Sequence, residues 1–377
     1  MDGSRARGIQ EQRSAELRLE GKKASTRADE ALPLHGTAER SADAAARYRQ
    51  AWDTRRAHFG SRVHFYAPSI KRYETEGFRN SRQPRFIPVS ITGSACQLKC
   101  EHCRSRILET MHAARSPEEL VELGRRLKEK GGEGLLISGG SREDGSVPLL
   151  EYAGALRSLK QLGFTIAVHT GLVDRELGAA LADAGIDIAM LDILGADETI
   201  REVYHLDATI TDFEESLALL CQSGVRTAPH VVIGLHFGRI AGELQALELI
   251  ARHDITALVL VVLTPQPGTP MQAVTPPSPE EAGEIFVAAR EMFPQVPILL
   301  GCARPYGDHK RRTDELALRA GLNGIAYPAE GIVESARQMG LEPVFSEQCC
   351  SLIYQSEGER KNNGNLASAR HGREDRG

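Results

Sequence analysis

From Arg85 onward, short apolar runs alternate with longer stretches whose apolar residues recur at helical spacing. The short runs predict strands over Phe86–Ile91, Gly134–Ser138, Phe164–His169, Asp187–Asp192, Ala228–Ile233, Ala257–Leu263, Val296–Leu300 and Gly324–Tyr327. Their nearly continuous apolar character is what strands covered on both faces require. Such βα units, spread over about 245 residues, predict an α/β fold of the (β/α)8 TIM type. An incomplete barrel of six strands with a separate C-terminal piece is the alternative. In either form, residues at or just after the strands' C-terminal ends should carry the chemistry.

The flanks read differently. Residues 1–36 are polar with little periodicity and predict a disordered tail, as do residues 356–377. Residues 37–83 read as a helical N-terminal extension packed outside the main domain. Ala45, Tyr48, Trp52 and Phe59 fall roughly on one side of its helix, and Gly60 supplies a stop. Residues 84–355 then form the barrel with a C-terminal cysteine loop.

Length and composition narrow the function. The 377 residues, 41% hydrophobic and 26% charged, suffice for a large core. A net charge of -5 gives no electrostatic footprint for nucleic acid. No apolar run approaches the roughly 18 residues of a membrane span, and Met1–Arg5 begins no apolar leader. The expectation is a cytoplasmic protein acting on a small or protein-bound substrate. Of seven cysteines, three crowd into Cys96-Gln97-Leu98-Lys99-Cys100-Glu101-His102-Cys103, which points to metal or redox chemistry over a disulfide framework.

This C-x3-C-x2-C run follows the first predicted strand. A [4Fe-4S] cube normally takes four thiolates, so a loop offering Cys96, Cys100 and Cys103 leaves one iron for a small molecule. A structural zinc site that adds His102 is the alternative. The adjacency of His102 and Cys103 would strain that set.

The motif resembles that of the radical S-adenosylmethionine superfamily. The resemblance implies that the open iron chelates S-adenosylmethionine, whose reductive cleavage yields a 5′-deoxyadenosyl radical able to take hydrogen from an unactivated carbon. His102 departs from the family's more usual Tyr or Phe. By the same resemblance, Ser138-Gly139-Gly140 would receive the methionine amino group, and Ile233-Gly234 would pack along adenine. His169, Thr170 and Asp192, at the ends of the third and fourth strands, are candidates for ribose or substrate. Each of these positions could equally be an ordinary turn or barrel residue.

Cys221 reads as a buried structural thiol. Cys302, Cys349 and Cys350 could hold a second, auxiliary [4Fe-4S] cluster, with Ser351, Arg304 or an outside group as fourth ligand. A structural zinc, or thiols without a metal, is the alternative for these three. Gly301-Cys302-Ala303-Arg304-Pro305, Gly324-Ile325-Ala326-Tyr327-Pro328 and Cys349-Cys350 resemble biotin-synthase-related proteins, among them one subunit of a two-protein lipoyl synthase. That resemblance implies sulfur insertion into a protein-bound octanoyl chain, with a second radical enzyme and an electron donor as partners and neither nucleic acid nor membrane. Two competing functions are a single-cluster radical enzyme without sulfur transfer and a non-catalytic iron-sulfur carrier.

Overall fold

The computed structural model describes residues 36–355, apart from 70, 71, 76, 82 and 84. The two tails read from sequence therefore fall outside the described residues, except for residue 36. The chain divides into two compact units, Met1–Ala45 and Ala46–Gly377. Within the first, residues 36–45 are helical, as the start of α1 (Gly36–Phe59).

The second unit is built on one 11-stranded sheet in which every pairing is parallel. Its strands are β1 (Arg62–Tyr66), β4 (Phe86–Ser90), β5 (His112–Ala113), β6 (Gly134–Ser138), β7 (Thr165–His169), β8 (Ile188–Asp192), β9 (Thr227–Ile233), β10 (Leu258–Val262), β11 (Ile298–Leu300), β12 (Gly324–Ala326) and β13 (Glu342–Ser346). The two-residue strands β2 (Glu74–Thr75) and β3 (Phe78–Arg79) form a separate hairpin. The spatial order is β13-β1-β12-β11-β10-β9-β8-β7-β6-β4-β5, a curled half-barrel. Among the described residues no pairing joins β13 to β4. A cavity of about 340 Å³ lies there instead, with Phe86 and Gly134 on one side and Phe345 on the other.

All eight strands expected from sequence are present, and two longer ones join them. β1 lies between β12 and β13, with His64 opposite Gly324 and Val344. The stretch read as a helical extension thus contributes a strand to the sheet. The second half of α1 is also integral to the unit. Ala51, Arg55 and Phe59 are buried, and Tyr48 and Trp52 pack against the core. Arg47 pairs with Glu284 and Glu291 of the helix Pro279–Met292. The six-strand alternative with a separate C-terminal piece is not what the described residues form, because β12 and β13 continue the same sheet.

Helices α2 (Pro117–Glu129), α3 (Ala153–Gln161), α4 (Arg175–Ala184), α5 (Ile210–Gln222), α6 (Glu243–Ile250), α7 (Pro279–Met292), α8 (Asp308–Arg319) and α9 (Ile332–Gln338) connect successive strands. Local chemistry starts several of them. Ser116 and Ser278 accept from the backbone N–H three residues on, each ahead of a proline whose missing N–H is no loss in a first turn. The apolar helix faces and the outward side chains of the strands form the larger core, with Val89, Ile137, Leu191 and Ile233 among them.

The inner face has its own core. Ala167, Ile188, Met190, Ala228, Ala257, Val259, Leu299 and Ala326 point into the bore, where they meet Cys350, Leu352 and Ile353. Small strand residues leave room for a piece of chain, and the C-terminal segment fills it. Ser351 Oγ donates to Met190 Sδ at 2.9 Å. Further on, Tyr354 donates to Asp187 O at 3.2 Å and lies under the Arg226 guanidinium, 4.5 Å from its ring centre. Asp187 and Arg226 precede β8 and β9, so the segment runs down the bore toward the strands' N-terminal ends.

A buried ion pair ties the last βα units together. Arg304, after β11, meets Asp314 of α8 through Nε and Oδ1 and again through Nη2 and Oδ2 at 2.9 Å. The guanidinium also donates to Gly301 O (3.0 Å) and Tyr327 O (3.1 Å), while Ala329 N donates to Asp314 Oδ2 (2.7 Å). Both side chains are wholly buried. Asp314→Asn would leave the guanidinium buried without its counter-charge, at a cost of about 3–5 kcal/mol in urea unfolding. The double variant Arg304→Met, Asp314→Leu should lose less than Asp314→Asn alone. A loss below about 1 kcal/mol for Asp314→Asn would mean that water reaches the pair.

Candidate functional site

The cysteine loop leaves β4 at Ser90 and is wound tightly by its own polar groups. Ser90 Oγ donates to Gly93 O (2.6 Å), Thr92 Oγ1 donates to Ala95 O (2.9 Å), and Gly140 N donates to Thr92 Oγ1 (2.7 Å). Lys99, Arg104 and Ser105 have φ of 49°, 46° and 63°. Three non-glycine residues in the left-handed region of one short loop are strain that surrounding contacts must hold. Gln97 N donates to Ser141 O (2.9 Å), and Glu101 N donates to Val203 O (2.9 Å). The loop is thereby clamped to the segments that follow β6 and β8.

Cys100 and Cys103 are buried, and Cys96 is half-buried. A hydrogen bond from Cys100 holds the Cys103 thiol down to about 4, and the same bond together with burial pushes Cys100 up. His102 lies with them, so that the ligand atoms of Cys100, His102 and Cys103 fall within 4.8 Å of one another. Burial works against the charged form of His102, yet its pKa is raised, because Cys103 bonds and attracts its ring. Adjacent as they are, His102 and Cys103 have ligand atoms within 4.8 Å of each other in this loop.

Three thiols on one loop, two of them buried, have the residue chemistry of a three-thiolate cluster site, although the ligand atoms that lie within 4.8 Å of one another are those of Cys100, His102 and Cys103, without Cys96. The glycines after β6 fit it for a steric reason. A Cβ on Gly140 would collide with Ala95 O and come within 2.6 Å of Cys96 Cα, and one on Gly139 would lie 3.0 Å from Ile91 Cγ1. The pair is needed for the approach of the cysteine loop itself.

The neighbouring strand ends form a second layer. Ser138 Oγ donates to His169 O at 3.1 Å. His169 Nε2 is 3.7 Å from Asp192 Oδ1, and its ring lies 5.3 Å from that of His230. Tyr204 donates to Asp192 Oδ2 at 2.8 Å and stands 5.5 Å from His102. Burial raises the Tyr204 phenol well above its usual range, and the Asp192 charge adds to the rise. Ser138, His169 and Asp192 are thus brought together beside the cysteine loop.

Others are not. Thr170 is buried and its hydroxyl is spent on Met190 O at 3.2 Å. Ile233 turns into the outer core, because strand alternation sends it away from the face that bears His230. Gly234, at φ 80°, packs against Pro277 and donates its N–H to Glu243 Oε1 at 2.7 Å. Tyr204 and Glu243 were not among the sequence candidates. The register was the available signal for His230, since Asp192 pairs with His230 directly.

Two of the remaining cysteines, Cys349 and Cys350, lie at the bore. Cys350 is buried and Cys349 half-buried, with Cys349 Sγ 3.6 Å from Ser351 Oγ. A hydrogen bond from Cys350 lowers the Cys349 thiol to about 7 against the effect of burial. Cys350 is raised by that same bond, then by burial and by the charges of Cys349 and Cys302. The exposed Cys302 therefore lies close enough to act on this pair. Arg304, one of the fourth-ligand alternatives, is engaged with Asp314 through two hydrogen bonds. Cys221, expected to be buried, is half-buried and packs against the outer core.

Comparison with known proteins agrees with this geometry. The radical SAM superfamily matches residues 90–263. Biotin synthase of Sorangium cellulosum is 25% identical over 252 residues, covering 63% of this chain and 69% of that protein. Biotin synthase of Marinobacter nauticus is 22% identical over 290 residues, covering 70% and 78%. In fold, methylornithine synthase superposes with a TM-score of 0.55 at 17% identity over 83% of this chain and 91% of its own. The FeFe-hydrogenase maturase HydG from Carboxydothermus hydrogenoformans gives 0.56 at 17%, over 90% and 80%. No described helix is long and apolar enough to cross a membrane.

Burial, reinforced by the His169 charge, holds the half-buried His230 ring down to about 4. An unfolded histidine binds its proton near about 6.5. Between about 6.5 and 4 the unfolded chain therefore takes up a proton that the folded chain refuses, and stability falls as the pH drops through that window. Urea midpoints measured from about pH 7 down to about pH 4.5 should decline less steeply in His230→Gln than in the wild type. Equal slopes would show that the ring is protonated in the folded protein as well.

Proposed function

We propose that this chain, a radical SAM enzyme with biotin-synthase-like relatives, inserts sulfur into an unactivated carbon of a protein-bound acyl chain, as one subunit of a two-protein lipoyl synthase. A [4Fe-4S] cluster on Cys96, Cys100 and Cys103, with S-adenosylmethionine, would supply the 5′-deoxyadenosyl radical that removes hydrogen from the carbon. The chain's own residues do the placing. Gly139 and Gly140 let the cysteine loop lie against the end of β6. Ser138, His169 and Asp192 line the neighbouring strand ends, and Tyr204 fixes the Asp192 carboxylate.

The observation that carries the sulfur-transfer reading is the placement of Cys349 and Cys350 on the turn that fills the bore, with the exposed Cys302 near enough for its charge to act on Cys350. Met190, which receives the Ser351 hydroxyl, is two residues before Asp192 on β8. At about 3.3 Å per residue, this places the turn about 6–7 Å beneath the strand ends, within reach of a substrate carbon at the mouth. Cys349 and Cys350 there, joined by Cys302, would hold an auxiliary cluster, with Ser351 or an outside group as fourth ligand. A second radical enzyme and an electron donor complete the reading as partners.

Anaerobic iron and sulfide quantitation with EPR tests the two-cluster assignment on the reconstituted wild type and on a variant lacking Cys96, Cys100 and Cys103. About four irons should remain in the variant. None remaining would leave a single-cluster radical enzyme and remove sulfur insertion. Cys96→Ala should abolish 5′-deoxyadenosine formation, whereas Cys349→Ala should spare it and block the thiolated product.

A further inference from the structure

A second cluster of ligand-type side chains lies outside the cysteine sites. Glu198 and Glu202 stand one helical turn apart, in the short helix Asp197–Thr199 and the wider turn Ile200–Tyr204 that follow β8. The chain leaving β9 brings His236 to them, and the ligand atoms of the three lie within 4.8 Å of one another. The two glutamates are exposed, whereas His236 is only 3% exposed.

The hydrogen bonding of His236 is incomplete in an informative way. Its Nδ1 is 3.2 Å from Thr199 Oγ1, but its Nε2 is buried and has no hydrogen-bond partner. If Nε2 carried the proton, a neighbouring carboxylate could accept it, and no such bond is formed. With the proton on Nδ1 and donated to Thr199, the buried Nε2 keeps a lone pair that no donor satisfies, on a ring clustered with two carboxylates. Three acceptors then face one another with no donor among them. A cation satisfies all three at once, and the hydroxyl on the far ring nitrogen is the support that a metal-bound histidine ordinarily has.

We propose that Glu198, Glu202 and His236 bind one divalent first-row cation of the Mn2+ or Zn2+ class, with water in the remaining positions. Two carboxylates and one imidazole suit such ions, and three protein ligands leave the coordination shell open. The site joins the segment after β8 to the exit of β9. That segment backs the cysteine loop, since Val203 O accepts from Glu101 N at 2.9 Å and Tyr204 O accepts from Cys100 Sγ at 3.8 Å. The bound ion holds in place the wall against which the cysteine loop rests.

The test is a Mn2+ titration of the full chain, followed by loss of the free-ion EPR signal; Mn2+ is chosen because thiolates bind it poorly. The wild type and a Glu176→Gln control should each take up one Mn2+ per chain at this site. Glu198→Gln combined with Glu202→Gln, both at exposed positions that the fold tolerates, should weaken it by more than about tenfold, since losing ligands costs more than losing an outer partner. His236→Gln should do the same, with a melting curve to verify folding. Unaltered Mn2+ binding in the double glutamine variant would overturn the site, and so would absence of binding by the wild type at millimolar Mn2+. Neither result depends on whether the cysteine sites hold one cluster or two.

Discussion

A parallel sheet that curls must fill its concave face, and this requirement governs the molecule. Backbone polar groups are satisfied along the strands, but the bore would be left as a void costly in lost contacts. Alanines at 167, 228, 257 and 326 narrow the strands' own contribution, and the turn at Cys350–Leu352 occupies what remains. The burial of Cys350 and Ser351 follows from this packing. So does the position of Cys349, which sits where the chain turns inward from β13.

At the strand ends, charge is handled by sharing. Asp192 serves Tyr204 through one oxygen and faces His169 with the other, while His230 is kept neutral beside them. Glu243, farther round, is raised by burial even though it accepts from Gly234 N and Ala241 N. The loops that carry these groups are braced on one another by backbone hydrogen bonds, so a displaced β8 segment would shift the cysteine loop through Val203 and Glu101.

Much of this was legible in the residues. The eight apolar runs became strands because each is covered on both faces and therefore carries no polar alternation to confuse it. β1 and β13 escaped for opposite reasons. Arg62-Val63-His64-Phe65-Tyr66 mixes charge and aromatics and finds its partners only at the far end of the chain. Glu342–Ser346 is an edge strand, partly exposed and carrying Pro343, which the unpaired edge tolerates. In the site, the cysteines and Gly139-Gly140 announced themselves by spacing. Tyr204 and His230 did not, because their importance lies in register and burial. The pairing of Arg304 was hidden for a similar reason, since nothing near it in sequence reveals Asp314 as its partner.

The place of β1 also sets an order of events during folding. Its hydrogen-bonding partners are residues 324–326 and 342–346, so the strand emerges first and pairs last. Until then the β4-to-β11 portion can assemble from neighbouring segments, while β1 waits as an unpaired apolar strand. Long-range pairing of this kind slows folding, because the loop must close before its contacts reward it. The place where β1 enters between β12 and β13 is therefore the slow seam of the molecule, closed only when the two ends of the second unit meet.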